Sequence, residues 1–128
     1  MDIFSSNSML LMEKSMNFLW TKQTAISDNI ANAETPNYKA KLVTFEEELR
    51  GKLENSLRSN TPRKSAREVL ENSEFTVVRT QESTRMDDNG VNTTEQMVEL
   101  VRNAYQLQYV MTAINSDLSA LRTVAKGQ

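Results

Sequence analysis

Side chains able to do chemistry are scarce in this chain of 128 residues, which has no His and no Cys. The commonest general base, the commonest metal ligand, the thiolate nucleophile and the disulfide are therefore all missing. Carboxylates remain. Glu46, Glu47 and Glu48 stand side by side, but successive residues on a helix point roughly 100° apart, so the three splay over different faces and read as a solvated surface. Asp87-Asp88-Asn89-Gly90 has the composition of a calcium loop. Counted from Asp87, however, the position that needs a chelating Glu is Val98, so the stretch reads as a turn ahead of a helix. Gly51, Gly90 and Gly127 lie far apart, and no phosphate-cradling loop can be assembled from them. No pair of titratable groups is nominated for acid–base work. The expectation is a protein that is not an enzyme, with no catalytic, cofactor-binding or metal-binding residues and no small-molecule substrate. A net charge of −2, from 15 basic and 17 acidic residues, offers no broad positive field, so no nucleic acid partner is expected either.

The apolar residues carry the stronger signal. Met97, Leu100, Ala104, Leu107, Met111, Ile114, Leu118, Leu121 and Ala125 follow one another at spacings of three and four. This is a heptad seam, uninterrupted by Pro or Gly, on a helix about 40 Å long. Near the other end, Met9, Met12, Met16, Leu19, Gln23, Ile26, Ile30 and Ala33 repeat the spacing, with Asn7 or Ser8 as the expected cap. A second stripe on that helix, Leu11, Phe18 and Ala25, predicts a second neighbour. Thr35-Pro36 ends the helix, and Asn37 is suited to the positive φ of a turn.

The middle is different in character: residues 41–92 hold nineteen of the thirty-two charged residues. Leu42, Phe45, Leu49, Leu53 and Leu57 keep helical spacing across Gly51, and Asn60-Thr61-Pro62 breaks it. Residues 58–74 read as polar and mobile. Residues 74–80, with Phe75, Val77 and Val78, suit a short strand. Asn92 or Thr93 caps the last helix, Thr93 and Gln96 having capping-box spacing, and Lys126-Gly127 stops it. The expected fold is mainly α. Long N- and C-terminal helices pair as an antiparallel coiled-coil-like hairpin around a polar, partly irregular middle. The expected segments are residues 1–36 and 93–128 for the two helices of one axial core and 37–92 for the middle.

Such a hairpin is short of grease. Hydrophobic residues make up 38% of the chain, and its large core fillers are four Phe, three Tyr and one Trp. Globular domains usually carry about 45–50%. A core shared with other chains fits better than a self-sufficient one. The seven Met suit adaptable interfaces. Val101, Val110 and Val124 widen the C-terminal stripe, and Tyr105 and Tyr109, one turn apart, suit a subunit contact because their hydroxyls stay wet while the rings are buried. Leu11 and Phe18 are candidate contacts of the same kind. The longest apolar run is residues 9–12, too short to span a bilayer, and no basic segment leads into an apolar one as in a cleavable secretory signal. From the residues alone, a helical adaptor or other coiled-coil interaction protein remains open beside a self-assembling structural subunit.

Ile26-Ser27-Asp28-Asn29-Ile30-Ala31-Asn32-Ala33-Glu34-Thr35-Pro36-Asn37-Tyr38-Lys39-Ala40 closely resembles the signature of bacterial flagellar rod, hook and axial proteins, with Asn37 where the family usually has Gly. The motif residues are Asn29, Ile30, Ala31, Asn32, Thr35, Pro36, Asn37 and Tyr38. Asn89-Gly90-Val91-Asn92 is similar to the family's segment before the C-terminal helix, and residues 118–124 resemble its C-terminal end. Residues 38–45 look like the proximal branch of the rod proteins. The resemblance implies a structural subunit of the basal-body rod that assembles with other axial proteins into a torque-transmitting shaft. It implies as partners copies of the chain itself, FlgC-, FlgF- and FlgG-like rod subunits, a FliE-like adaptor, the membrane-ring protein and the type III export gate. It also implies export without a cleaved signal and a place in the rod where it crosses the periplasmic space.

Overall fold

The computed structural model of the chain describes residues 6–44, 46–80, 86 and 89–127, without the side chains of residues 46–48. The expectations placed on the Glu46–Glu48 carboxylates, on Phe45, and on Asp87 and Asp88 lie outside the described residues. The element order is α1 (Asn7–Ala31), β1 (Lys41–Thr44), α2 (Glu46–Leu57), α3 (Pro62–Glu71), β2 (Thr76–Arg79) and α4 (Thr93–Ala125). The fold is mainly α, with long helices at both ends.

Local chemistry explains the boundaries. Ser6 caps α1, its hydroxyl accepting from the Met9 amide at 3.1 Å, so the cap stands one residue ahead of Asn7 and two ahead of Ser8. Asn92 caps α4 by accepting from the Glu95 amide. Thr93 is not the cap, and Gln96 is engaged elsewhere. Gly127 stops the chain's last turn at φ 69, a conformation open to a residue without a Cβ.

α1 and α4 run antiparallel. Asn103 Nδ2 donates to the Leu19 carbonyl at 3.0 Å and to Gln23 Oε1 at 2.7 Å. Lys22 pairs with Glu99 at 3.4 Å, and Asn29 Nδ2 donates to Gln96 Oε1 at 2.9 Å. These contacts set the rotation of α4. The side turned to α1 carries Gln96, Leu100, Asn103, Leu107, Val110 and Ile114, and half-buried Leu121 continues that stripe beyond it. The expected seam thus lies only partly on it: Leu100, Leu107 and Ile114 face α1, while Met97, Ala104, Met111 and Leu118 are exposed. At 3.6 residues per turn these four sit roughly 60–120° round from Asn103. On α1, Leu19 and Ile26 are buried, and Met9, Met12, Met16 and Ile30 are half-buried.

The middle segment covers the other flank of α1. β1 and β2 pair antiparallel, Lys41 opposite Arg79 and Thr44 opposite Thr76. Leu42 thus sits in a strand, and the helix expected to include it begins at Glu46. Residues 62–71, expected to be mobile, form α3. Pro62 opens it at a position where no amide hydrogen is needed, and Leu70, 2% exposed, anchors it in the core. α3 lies alongside the first turns of α1 and runs in the same direction: Asn7 Nδ2 donates to the Arg63 carbonyl, and Lys14 Nζ to the carbonyls of Glu71 and Ser73. That ammonium sits where the helix dipole is negative. α2 joins α3 through a short turn at residues 58–61, a length that returns the chain antiparallel.

One core unites these layers: Phe18, Leu19, Ala25, Val43, Leu49, Leu70 and Leu107, with Phe75 and Leu53 packed against it. Phe18 is therefore not a subunit contact. It is 3% exposed, and its ring lies 6.4 Å from that of Phe75. The second neighbour that the Leu11, Phe18, Ala25 stripe required is the chain's own middle segment; Leu11 itself is exposed. Phe18→Ala should lower the unfolding free energy of the dilute protein by about 3–5 kcal/mol in urea titration. Trp20→Ala, at an exposed position, should change it by less than about 0.5 kcal/mol. Equal, small effects would mean that Phe18 does not pack internally.

Candidate functional site

Two features stand out: a polar clasp where α1 and α4 come together, and an apolar face on the outside of their hairpin. The clasp uses asparagine side chains. Asn29, Asn89 and Asn103 are the largest fully buried side chains, each 0% exposed. A buried amide must be hydrogen-bonded or it destabilises the fold by about 1–3 kcal/mol.

Asn29 acts as a piece of strand edge. Its Oδ1 accepts from the Lys41 amide at 2.7 Å and its Nδ2 donates to the Lys41 carbonyl at 2.9 Å. The second Nδ2 hydrogen reaches Gln96, and the Tyr38 hydroxyl donates to Oδ1 at 3.4 Å. One side chain at the end of α1 thus docks β1 and the first turns of α4. The neighbouring Asp28–Lys41 ion pair, 2.6 Å long, reinforces the docking at a half-exposed position.

The turn that follows is built residue by residue. Asn32 ends α1, its Nδ2 donating to the Asp28 carbonyl at 2.8 Å. Pro36 and Asn37 then occupy the centre of a turn closed by the Tyr38 amide and Thr35 carbonyl. Asn37 has φ 61, the left-handed geometry that a type II turn requires at its third position. Asn89 fastens this turn to the approach of α4. Its Nδ2 donates to the carbonyls of Asn32 at 3.0 Å and Thr35 at 2.6 Å, and its Oδ1 accepts from the Val91 amide at 2.8 Å. The Gly90 amide donates to the Tyr38 carbonyl at 2.8 Å. Ala33, Ala40 and Val91 pack into a small core beneath, with Tyr38 against it. Ala31, Thr35, Pro36 and Asn37 remain exposed, and Ile30 is half-buried. Sequence reading missed Asn89 and Asn103 as determinants. Asn89 falls in a turn signal and Asn103 one position off the heptad seam, so local pattern marks neither.

The apolar face lies on the other side of the hairpin from the middle segment. Phe18 points toward α2 and α3. Trp20, two residues on, points about 200° round, to the opposite flank, and is 55% exposed. Met97, Ala104, Met111 and Leu118 occupy the corresponding flank of α4, with Met111 47% exposed. Half-buried Met9 and Met16 complete the strip on α1. Tyr105 and Tyr109 lie elsewhere, at the rim of a groove between α2 and α4. Apolar residues exposed along one flank of two paired helices mark a contact surface. Among the described residues no cluster of His, Cys, Asp or Glu suits a metal, and no helix is long and apolar enough to cross a membrane.

The comparisons with known proteins agree in kind. A family model described as "Flagella basal body rod protein" matches residues 16–39, the stretch that supplies Trp20, Asn29 and the turn. The chain is 32% identical over 110 residues to the flagellar basal body rod protein FlgB of Bacillus subtilis (strain 168), covering 83% of each. It is 30% identical over 109 residues to FlgB of Cereibacter sphaeroides (strain ATCC 17029), covering 84% of this chain and 85% of that one. Against FlgB of Aquifex aeolicus it is 29% identical over 129 residues, covering 100% of this chain and 98% of the other.

Asn89→Ala removes two donors and an acceptor inside the clasp. It should cost about 2–4 kcal/mol, and amide exchange at Gly90, Val91 and Tyr38 should speed up well before that of Leu107. Uniform acceleration across the chain would mean that Asn89 does not hold a local unit.

Proposed function

We infer that this chain, which belongs to the flagellar basal body rod protein family and to its FlgB members, enters the rod through the exposed back of its helix hairpin. It is a structural subunit of the flagellum, located in the basal body, and it assembles with other basal body rod components. The observation that carries the proposed route is the strip of Trp20, Met97, Ala104, Met111 and Leu118, exposed although two of its members sit beside buried residues. At about 25 cal/mol per Å², burying a few hundred Å² of such surface contributes several kcal/mol. Association entropy cancels much of that for one contact. Assembly then depends on many neighbours at once, which suits a subunit that stays soluble alone and stiffens in a lattice.

The neighbours proposed are copies of the chain and FlgC-, FlgF- and FlgG-like rod subunits. Those at the base are a FliE-like adaptor, the membrane-ring protein and the type III export gate. What supports them is the family resemblance together with the adaptable, methionine-rich character of the strip. The same resemblance supports export without a cleaved signal and a position crossing the periplasmic space. A structural subunit also needs no active site, which is consistent with a sequence lacking His and Cys. The signature motif, on this reading, serves assembly indirectly: Asn29, Asn32 and Tyr38 hold the hairpin so that the strip is presented on a rigid support.

Met111→Asp and Trp20→Asp test the route. Both positions are exposed, so stability should change by no more than about 0.5 kcal/mol. Cells carrying either variant in place of the native gene should lose swimming and assembled rods, as deleted cells should. Normal swimming with a complete basal body would overturn the proposed face.

A further inference from the structure

The groove between α2 and α4 has no part in the hairpin's back and calls for its own occupant. It encloses about 870 Å³ and is lined by Phe18 and Leu19 at the floor, Leu49, Leu53 and Leu57 on α2, and Val110 on α4. Leu57 is 67% exposed. Gln106 also lines the groove, and its Oε1 is buried with no donor among the described residues. Such an atom calls for a donor from whatever fills the space.

We propose that the groove receives the C-terminal end of α4 from a second copy of the chain. Length is the first argument. Leu19 sits level with Asn103, so the level of Asn7, where α1 begins, falls near residue 115. α4 runs about ten residues further, roughly 15 Å. The groove wall from Leu49 to Leu57 is about 12 Å long on the same geometry. Pattern is the second. The stripe that α4 turns to α1 continues past Asn7 as Leu121, Val124 and Ala125, beyond the helix it serves higher up. Direction is the third. α3 runs with α1, and α2 returns against α3, so α2 runs with α4. In a copy displaced along the hairpin axis α4 keeps its direction and lies parallel to this chain's α2. Charge is the fourth. Arg50 and Glu54 stand one turn apart on the groove wall; in parallel register they meet Asp117 and Arg122 of the incoming end, opposite charges in matching order. The Arg122 guanidinium also supplies donors of the kind that Gln106 Oε1 lacks. Such a contact is head-to-tail and does not close on itself, so it propagates.

This inference rests on the rod reading, and the experiment separates the two. The chain has no Cys, so single cysteines report alone. Leu57→Cys and Val124→Cys, at exposed positions, are placed on separate gene copies and expressed together in otherwise deleted cells; Glu54→Cys with Arg122→Cys is the second pair. In swimming cells, oxidation should give a band at twice the 14.6 kDa chain mass for at least one pair, and none for any variant expressed alone. Swimming cells in which neither pair links would overturn the groove contact while leaving the rod assignment intact. Swimming by deleted cells that express no copy would instead overturn the rod assignment.

Discussion

The buried amides between α1 and α4 decide what the rest of the molecule can do. Asn103 bonds to the Leu19 carbonyl and to Gln23, and Asn29 bonds to Gln96. Each such bond contributes only about 1 kcal/mol net, but leaving the group buried and unpaired costs more. Sliding α4 by a turn, or rotating it to put Met97 and Met111 against α1, would break all of them together. A polar residue on a helix seam is known to fix register at some cost in stability. Here the cost is visible: Asn103 Oδ1 is buried with no donor among the described residues.

Fixing the rotation has a second effect, on where the grease goes. α4 carries apolar residues around more than half of its circumference, and only one stripe of them meets α1. The residues left outside are the long flexible ones, Met97, Met111 and Leu118, with Trp20 beside them on α1. The small middle segment covers the other flank, packing Leu49 and Leu70 in one core with Phe18 of α1 and Leu107 of α4, and leaves a groove between α2 and α4. The subunit is thus closed on one side by its own chain and left open on the other. For a member of a rod family, an open side on a stiff support suits assembly with other rod components.

The sequence disclosed elements better than faces. Both long helices, the Pro36 break, the Asn37 turn, the Asn92 cap and the strand near Val77 rest on local chemistry and could be read directly. The orientation of α4 could not. Its apolar residues satisfy two overlapping heptads, and Asn103 and Gln96, which choose between them, look like surface residues until their partners are known. β1 was hidden because Leu42, Phe45 and Leu49 also fit helical spacing, and its strand partner lies more than thirty residues away. α3 is hidden by composition: between Pro62 and Glu71 only Ala66, Val69 and Leu70 are apolar, and Pro62 reads as a breaker although it is a first-turn residue. The signature motif is legible in the sequence, but that Asn29, Asn32 and Tyr38 bond within the chain, with Asn89 joining them, is visible only in the structure.

Spin labels on cysteines placed at Ser27 and Gln108, both exposed, would report the register of α4 on α1 as a distance distribution. With the native amides present, a single narrow distance is expected. With Gln96→Leu and Asn103→Leu together, the distribution should broaden or split as α4 samples its second apolar face, even though the helices remain paired. A single unchanged peak in that variant would contradict the account, because the apolar contacts alone would then be setting the register.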